Sequence, residues 1–298
     1  MKKVIVIFGV LAFTAGMALG QGYPVDYPDG YPNEAGVNTA IVEQNGHRND
    51  ATIDQIEGTT NYAKILQNIS DSEVTIWQQG NTNFASSHQQ GGAGNAIGYI
   101  YQIGNENVVD NQYQGAWGSA DVYSYARQEG NRNFASQNHH ENKDASMIVR
   151  QFGDDNVATQ YQRQGFSGTP GEVSSEINQT GYFNEANTEQ RGLGGHSILV
   201  TQRGELGDGD NGENNFADLY QNGNGGHDAI ILQEGDNNRV EGLDGIGAYQ
   251  QLGDEFNYLN IHQQGNGNEA WGYQNAGASA TVEQFGNANS VIINQTIY

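Results

Sequence analysis

From Val37 onward, apolar and polar positions alternate in short runs with a period of two. Ala40-Ile41-Val42-Glu43-Gln44 is followed by a turn and then Ala51-Thr52-Ile53-Asp54-Gln55. Val74-Thr75-Ile76-Trp77-Gln78, Leu259-Asn260-Ile261-His262-Gln263 and Val291-Ile292-Ile293-Asn294-Gln295 obey the same rule. Ala/Val-x-Ile-x-Gln with this period predicts a strand with one buried face. Gly-x-x-Asn pieces such as Gly46-His47-Arg48-Asn49 lie between strands. Gly and Asn tolerate the positive φ that a tight reversal requires. The alternation predicts about twenty-two strands from Val37 to Tyr298, or about eleven strand–turn–strand units. Arg239 to Gly247 fits the strand rule least well, and Phe166–Gly171 and Glu205–Asn214 read as longer links.

The full motif Gln-x-Gly-x-x-Asn-x-Ala/Val starts at Gln44, Gln78, Gln102, Gln128, Gln151, Gln179, Gln233, Gln263 and Gln284. Six of these copies carry a second Gln eleven residues after the first. Repetition at this period marks an architecture in which each unit stacks on its neighbours. The predicted fold is therefore all-β: a β-solenoid of two stacked parallel sheets, cross-β in geometry. Stacked strands lie about 4.8 Å apart, so equivalent residues form columns. In a column of inward Gln, each amide donates to one neighbour and accepts from the other. An unpaired buried amide costs about 1–3 kcal/mol, so stacking in register is favoured over slipping. The candidate ladder residues are Gln44, Asn49, Gln55, Gln67, Gln78, Asn83, Gln89, Gln102, Asn107, Gln128, Asn133, Gln151, Asn156, Gln162, Gln179, Asn184, Gln190, Gln202, Asn215, Gln221, Gln233, Asn238, Gln263, Asn268, Gln274, Gln284, Asn289 and Gln295. Tyr113, His139 and Asp244 stand where three copies lack the second Gln.

Residues 1–20 read as a secretory signal peptide: Lys2-Lys3, an apolar run from Val4 to Phe13, then Ala18-Leu19-Gly20. Residues 21–36 form a separate segment in which Tyr23-Pro24, Tyr27-Pro28 and Tyr31-Pro32 recur every four residues. Proline cannot donate to a sheet ladder, so this stretch is expected outside the solenoid, which occupies residues 37–298. The net charge of −23 repels nucleic acid and anionic membranes, so no nucleic-acid partner is expected. With no cysteine, there is no disulfide framework. Acids such as Asp154-Asp155 and Glu141/Asp144 at the turns act as gatekeepers against early aggregation.

The motif, the Tyr/Pro segment, the signal peptide and the absence of cysteine resemble the curlin-repeat family, the subunits of curli fibres. The resemblance covers residues 21–298. It implies a subunit exported unfolded through the periplasm and an outer-membrane pore with accessory chaperones. Such a subunit folds on a growing extracellular amyloid fibre that serves biofilm matrix, adhesion and cell aggregation. A nucleator subunit is an implied partner, besides the chain itself. Tyr23, Pro24, Tyr27, Pro28, Tyr31 and Pro32 take the export role by the same resemblance. Family members often carry Ser six residues before the first Gln; here Ser72 does so, and Asn38, Ala96 and Ala145 replace it elsewhere.

Other chemistry fits less well. His139-His140 lacks further ligands at metal-binding spacing. Asp208–Glu213 lacks the glycine and twelfth-position acid of a calcium loop. Gly225-Gly226-His227-Asp228 does not recur as a calcium β-roll would. No cofactor motif is present. A polysaccharide-cleaving β-helix would combine carboxylates with basic groups, and basic groups are few and scattered. The expectation is a structural subunit rather than an enzyme. The alternatives are a minor nucleator of the same fibre and a monomeric solenoid adhesin, which would need caps on its ends.

Overall fold

The fold is taken from a computed structural model that describes residues 37–91, 95–114, 121–140, 144–164, 171–204, 213–242, 248–275 and 277–296. Residues 1–36, with the signal and Tyr/Pro segments, lie outside these, as do Asp244 and the stretch 205–212. The described residues form β1 (Thr39–Gln44), β2 (Asp50–Ile56), β3 (Tyr62–Asn68), β4 (Ser72–Gln79), β5 (Phe84–Gln90), β6 (Ala96–Asn105), β7 (Val108–Gln114), β8 (Val122–Asn131), β9 (Phe134–His140), β10 (Ala145–Phe152), β11 (Val157–Arg163), β12 (Val173–Thr180), β13 (Glu185–Arg191), β14 (His196–Arg203), β15 (Phe216–Asn222), β16 (His227–Glu234), β17 (Arg239–Glu241), β18 (Tyr249–Leu252), β19 (Asn257–Gln264), β20 (Glu269–Asn275), β21 (Ser279–Phe285) and β22 (Ser290–Thr296).

Successive strands alternate between two sheets, of 12 and 10 strands, and all pairing is parallel. The chain is thus a β-solenoid of two stacked parallel sheets. The number of turns is slightly below the eleven expected. β17 and β18 pair with β15 and again with β20, so together they fill one strand position interrupted by an insertion. The first sheet has 12 strands with two sharing a position, hence eleven layers; the second has ten. The least regular segment of the sequence is therefore half a rung, completed by Tyr249–Leu252.

The common inward pattern of a strand is a small residue, a larger apolar one, then Gln, though Ser87, Asn111, Gln137, Gln160 and Thr188 hold the middle place in the first-sheet strands from β5 to β13. Ala63, Ile65 and Gln67 in β3, and Val74, Ile76 and Gln78 in β4, have no exposed surface. The apolar core is one residue pair thick and runs almost the whole length of the molecule. At the ends it opens: Val42, Ile53, Val282 and Val291 are only partly buried.

The two edges of the solenoid differ. Turns from the second sheet back to the first share one geometry, apart from the β14–β15 link that holds the stretch 205–212. The column glycines from Gly58 to Gly286 have φ between 95° and 127°, and the residue before each Asn has φ of 53–64° where it is not glycine. The opposite edge varies in length and carries most of the undescribed stretches. Gly153 shows why the regular edge needs glycine. Its φ is 110°, and an added Cβ would lie 2.1 Å from the Gly181 carbonyl oxygen of the next layer.

Outward rows bind layer to layer in another way. Trp77, Tyr101 and Tyr125 approach in sequence at 6.3 and 6.0 Å. Arginines sit against acids of adjacent layers, as in Arg132–Asp155 at 2.6 Å and Arg203–Glu234 at 2.8 Å. Gly153→Ala is expected to lower stability by about 1–3 kcal/mol through clash and backbone strain. Outward-facing Ser146→Ala should change it by less than about 0.5 kcal/mol. Denaturant unfolding of both variants checks this.

Candidate functional site: amide ladders between the sheets

The chemistry of the molecule is concentrated in columns of amides. In the second sheet Gln55, Gln78, Gln102, Gln128, Gln151, Gln179, Gln202, Gln233, Gln263 and Gln284 form one unbroken line. Each Nε2 donates to the Oε1 of the next at 2.8–3.0 Å. Each Nε2 also donates across the core to a backbone carbonyl of the first sheet, at 2.9–3.1 Å, as Gln78 does to Tyr62 and Gln284 to Glu269. Both protons of one amide are thus used, one along the axis and one between sheets. The burial of these groups is affordable only because both are satisfied.

The first sheet carries a matching line with a gap. Gln44 donates to Gln67 and Gln67 to Gln89, at 2.7 and 3.2 Å. The line resumes through Gln162, Gln190, Gln221, Gln251, Gln274 and Gln295 at 2.8–3.1 Å. Tyr113 and His139 occupy the gap in register. The position expected for Asp244 belongs to Gln251. The insertion after β17 delays the Gln by seven residues, and Asp244 itself lies outside the described residues.

A third line runs down the regular edge. Asn38, Asn61, Asn83, Asn107, Asn133, Asn156, Asn184, Asn215, Asn238, Asn268 and Asn289 stack so that each backbone N–H donates to the Oδ1 below at 3.0–3.2 Å. Their Nδ2 groups reach up to the glycine carbonyl of the next turn, as Asn133 does to Gly153 at 2.7 Å. Asn49 does not belong here. It lies on the variable edge, donating to the Ile69 carbonyl at 2.7 Å and accepting from Ser72 Oγ at 3.0 Å. The reason is topological: its turn joins the first sheet to the second, whereas the other full motifs run the other way.

Two sets of ladder residues escaped the sequence reading. Asn38 and Asn61 complete the Asn line. Their signal is Gly58-x-x-Asn61-x-Ala63, a motif with its Gln one residue too early, at Gln55. The second set is a polar seam inside the core. Gln137 and Gln160 take the place normally held by Ile; Gln137 Nε2 donates to Gln160 Oε1 at 3.0 Å, and Gln160 Nε2 to Ser175 Oγ at 3.0 Å. Ser175 and Thr188 hydroxyls meet at 2.9 Å, and Ser124 Oγ lies 2.9 Å from His139 Nε2. Burial drives His139 down to about 3, opposed by a hydrogen bond with Gln162, so it stays neutral at physiological pH.

A short histidine line lies on the variable edge. The rings of His196 and His227 stack at 5.0 Å. Their Nε2 atoms lie 2.9 and 3.1 Å from the carbonyls of Arg191 and Asn222, each five residues back. Asn257 occupies the same column, with Nδ2 2.9 Å from the Leu252 carbonyl. Burial pushes His196 down to about 4, with His227 adding to the shift and backbone hydrogen bonds opposing it. Burial lowers His227 likewise. Asp218 moves the other way, up to about 6, through burial first and then the nearby Glu185, Glu241 and Glu189.

Among the described residues no group of three or more His, Cys, Asp and Glu side chains is placed to hold a metal ion. An open groove of about 500 Å³ lies near Arg48, Asp71, Glu73, Asp121 and Tyr123.

The ladders define a class: an amide-laddered β-solenoid whose identity lies in its repeat. The family model described as Curlin associated repeat matches residues 38–68 and 212–241. The first segment spans β1 to β3 and the second β15 to β17. No curated protein matches the chain. The chain thus carries segments similar to the curlin repeat at two places along the solenoid.

The histidine line makes stability depend on pH. A His held below its unfolded pKa of about 6.5 binds fewer protons folded than unfolded. Stability from His196 and His227 is therefore full above about pH 6.5 and falls on acidification, for His196 down to about pH 4. Asp218 acts oppositely, its contribution fading as pH rises from about 4 to about 6. His196→Asn keeps the bond that Asn257 makes and removes a titrating group. The denaturant midpoint of this variant should drop less than that of the unsubstituted chain between pH 7 and pH 4. An equal drop would show that other groups control the acid response.

Proposed function

We propose that this chain is a secreted subunit of an extracellular curli-like fibre, adding end to end in the biofilm matrix and serving adhesion and aggregation. The observation that carries the reading is the state of the ends. β1 and β2 at one end, and β21 and β22 at the other, each have a paired neighbour on one side only among the described residues. The three amide ladders run out to those faces. A flat strand edge backed by a half-exposed apolar column is a template for another chain. In-register stacking of identical layers is the geometry of cross-β polymers.

The rest follows from the curlin resemblance. Residues 1–20 direct export to the periplasm, and residues 21–36 are the address read by an outer-membrane pore and its chaperones. The ladder amides form the fibre core. A nucleator subunit starts growth. High negative charge supports this reading, because a chain that stacks so readily must stay apart from its copies until exported.

Residues 21–298 diluted from denaturant should form fibres with a meridional spacing of about 4.7–4.8 Å. A stable dispersed monomer after long incubation would sink the reading. Deleting residues 22–36 should leave assembly of purified protein nearly unchanged and reduce surface fibres on cells; failure of the purified deletion to assemble would place that segment in the core.

The ends should matter more than the middle. Gln284→Ala and Gln295→Ala open the ladders at the face that receives the next copy, whereas Gln151→Ala lies between intact layers. Each orphaned amide costs about 1–3 kcal/mol in either place, but only the terminal changes weaken templating. Thioflavin kinetics should show longer lag and slower elongation for the terminal variants. Equal kinetics in all three would remove β21 and β22 from the docking face.

A further inference from the structure

The first and last strands of the solenoid, β1 and β22, lie in the same sheet. Among the described residues there are eleven layers on one side and ten on the other, so the strand positions number twenty-one, an odd count. A second oddity stands at the start. The Gln44-x-Gly46-x-x-Asn49 turn is built like those of the regular edge yet sits on the variable edge. Within its own molecule it finds Ile69 and Ser72 above it, not another Gly and Asn.

On the reading that copies add end to end, two arrangements are available. If the next copy keeps the same orientation, its β1 extends the first sheet from β22. Its β2 then lies two steps above β21, and the second sheet has one strand missing at every junction. The backbone N–H and C=O groups facing that gap would lose their partners. If the next copy is turned by half a revolution about the axis, its β1 lies on β21 and its β2 on β22. No position is vacant. Consecutive strands run in opposite directions on the two sides, so the exchange keeps every pairing parallel.

The side chains agree with the half-turn. Ala40, Val42 and Gln44 of the next copy fall on Ala280, Val282 and Gln284, while Ala51, Ile53 and Gln55 fall on Val291, Ile293 and Gln295. Seven residues separate Gln284 from Val291, and seven separate Gln44 from Ala51. The displaced turn then lands on the regular edge, with Gly46 over Gly286 and Asn49 over Asn289. Space is open there: a Cβ on Gly286 would meet nothing closer than Asn289 Nδ2 at 3.9 Å, whereas one on Gly265 would meet the Gly286 carbonyl oxygen at 2.3 Å. We propose that copies of this chain stack with a half-turn between them, so that each Gln ladder crosses from one sheet to the other at the junction. The out-of-phase first motif is the complement of the odd strand count. One contact opposes it: Glu43 of the next copy comes beside Glu283, both outward, a repulsion that salt screens.

Paired cysteines distinguish the arrangements, since the chain has none of its own. Asn287 and His47, both exposed, each follow the turn glycine. In the half-turn they occupy adjacent layers about 4.8 Å apart, within the Cα separation of a disulfide. In the same-orientation stack they lie on opposite edges. Thr296 and Asn45 reverse the case, being adjacent only without the rotation. Oxidised fibres of the Asn287→Cys/His47→Cys variant should give disulfide-linked multimers, and those of Thr296→Cys/Asn45→Cys should not. Linking in the second pair, or none in the first, overturns the half-turn while leaving the fibre intact. Helical reconstruction of unsubstituted fibres provides the check free of substitutions: a rotation of half a revolution plus the solenoid's own twist, with a rise of about 50 Å per copy from ten and a half turns. A rotation without the half-revolution overturns the proposal. Absence of fibres from the unsubstituted chain overturns the assembly reading and the half-turn with it.

Discussion

Everything in this molecule depends on a side-chain amide that must be satisfied twice. A buried Gln has two donors, and here one reaches along the axis to the next Gln and the other crosses to the facing sheet. The axial bond fixes register, because a slip by one residue would point the whole set outward. The crossing bond fixes the separation of the sheets. A core this thin could not hold two sheets together by apolar contact alone. The ladders supply direction as well as adhesion: Gln amides donate toward the C-terminal end and Asn backbone N–H groups toward the N-terminal end. A solenoid ending in such lines presents donors and acceptors in a pattern that another layer of the same design matches.

Interruptions of the pattern show what it tolerates. At the regular edge a glycine carbonyl lies where a Cβ would go, as at Gly153, so the turns outside the β14–β15 link share one shape. Extra residues fall on the variable edge, within one rung and in the β14–β15 link, and the strands on either side keep their register. Inside the core, Gln137, Gln160 and His139 replace apolar residues or Gln over neighbouring layers. Their polar atoms are drawn into a shared seam with Ser124, Ser175 and Thr188. The few arginines lie beside acids on the outer rows, which lowers repulsion between layers in a strongly acidic chain.

Much of this was legible because the repeat makes local pattern and global position equivalent. The period-two alternation located the strands, and the constant seven-residue step located the turns. Three particulars were not legible. The phase of the Gln44 motif cannot be seen from its own residues, which match the others; it depends on the count of strands between it and Gln78. The Gln251 position was hidden by an insertion that splits a strand, a case where matching by spacing points to Asp244 instead. Asn38 and Asn61 sit in incomplete motifs, and only stacking against Asn83 reveals them as members of the same line.

The account stands or falls on the amides being locked. Side-chain hydrogen exchange, read residue by residue, tests this most directly. The Nε2 protons of Gln78, Gln102, Gln128 and Gln151 should exchange as slowly as the backbone amides of the strands around them. Those of the exposed Gln90 and Gln250 should exchange far faster. Fast exchange throughout the inward set, in a chain whose backbone amides remain protected, would contradict the ladder as the interaction that holds the sheets in register.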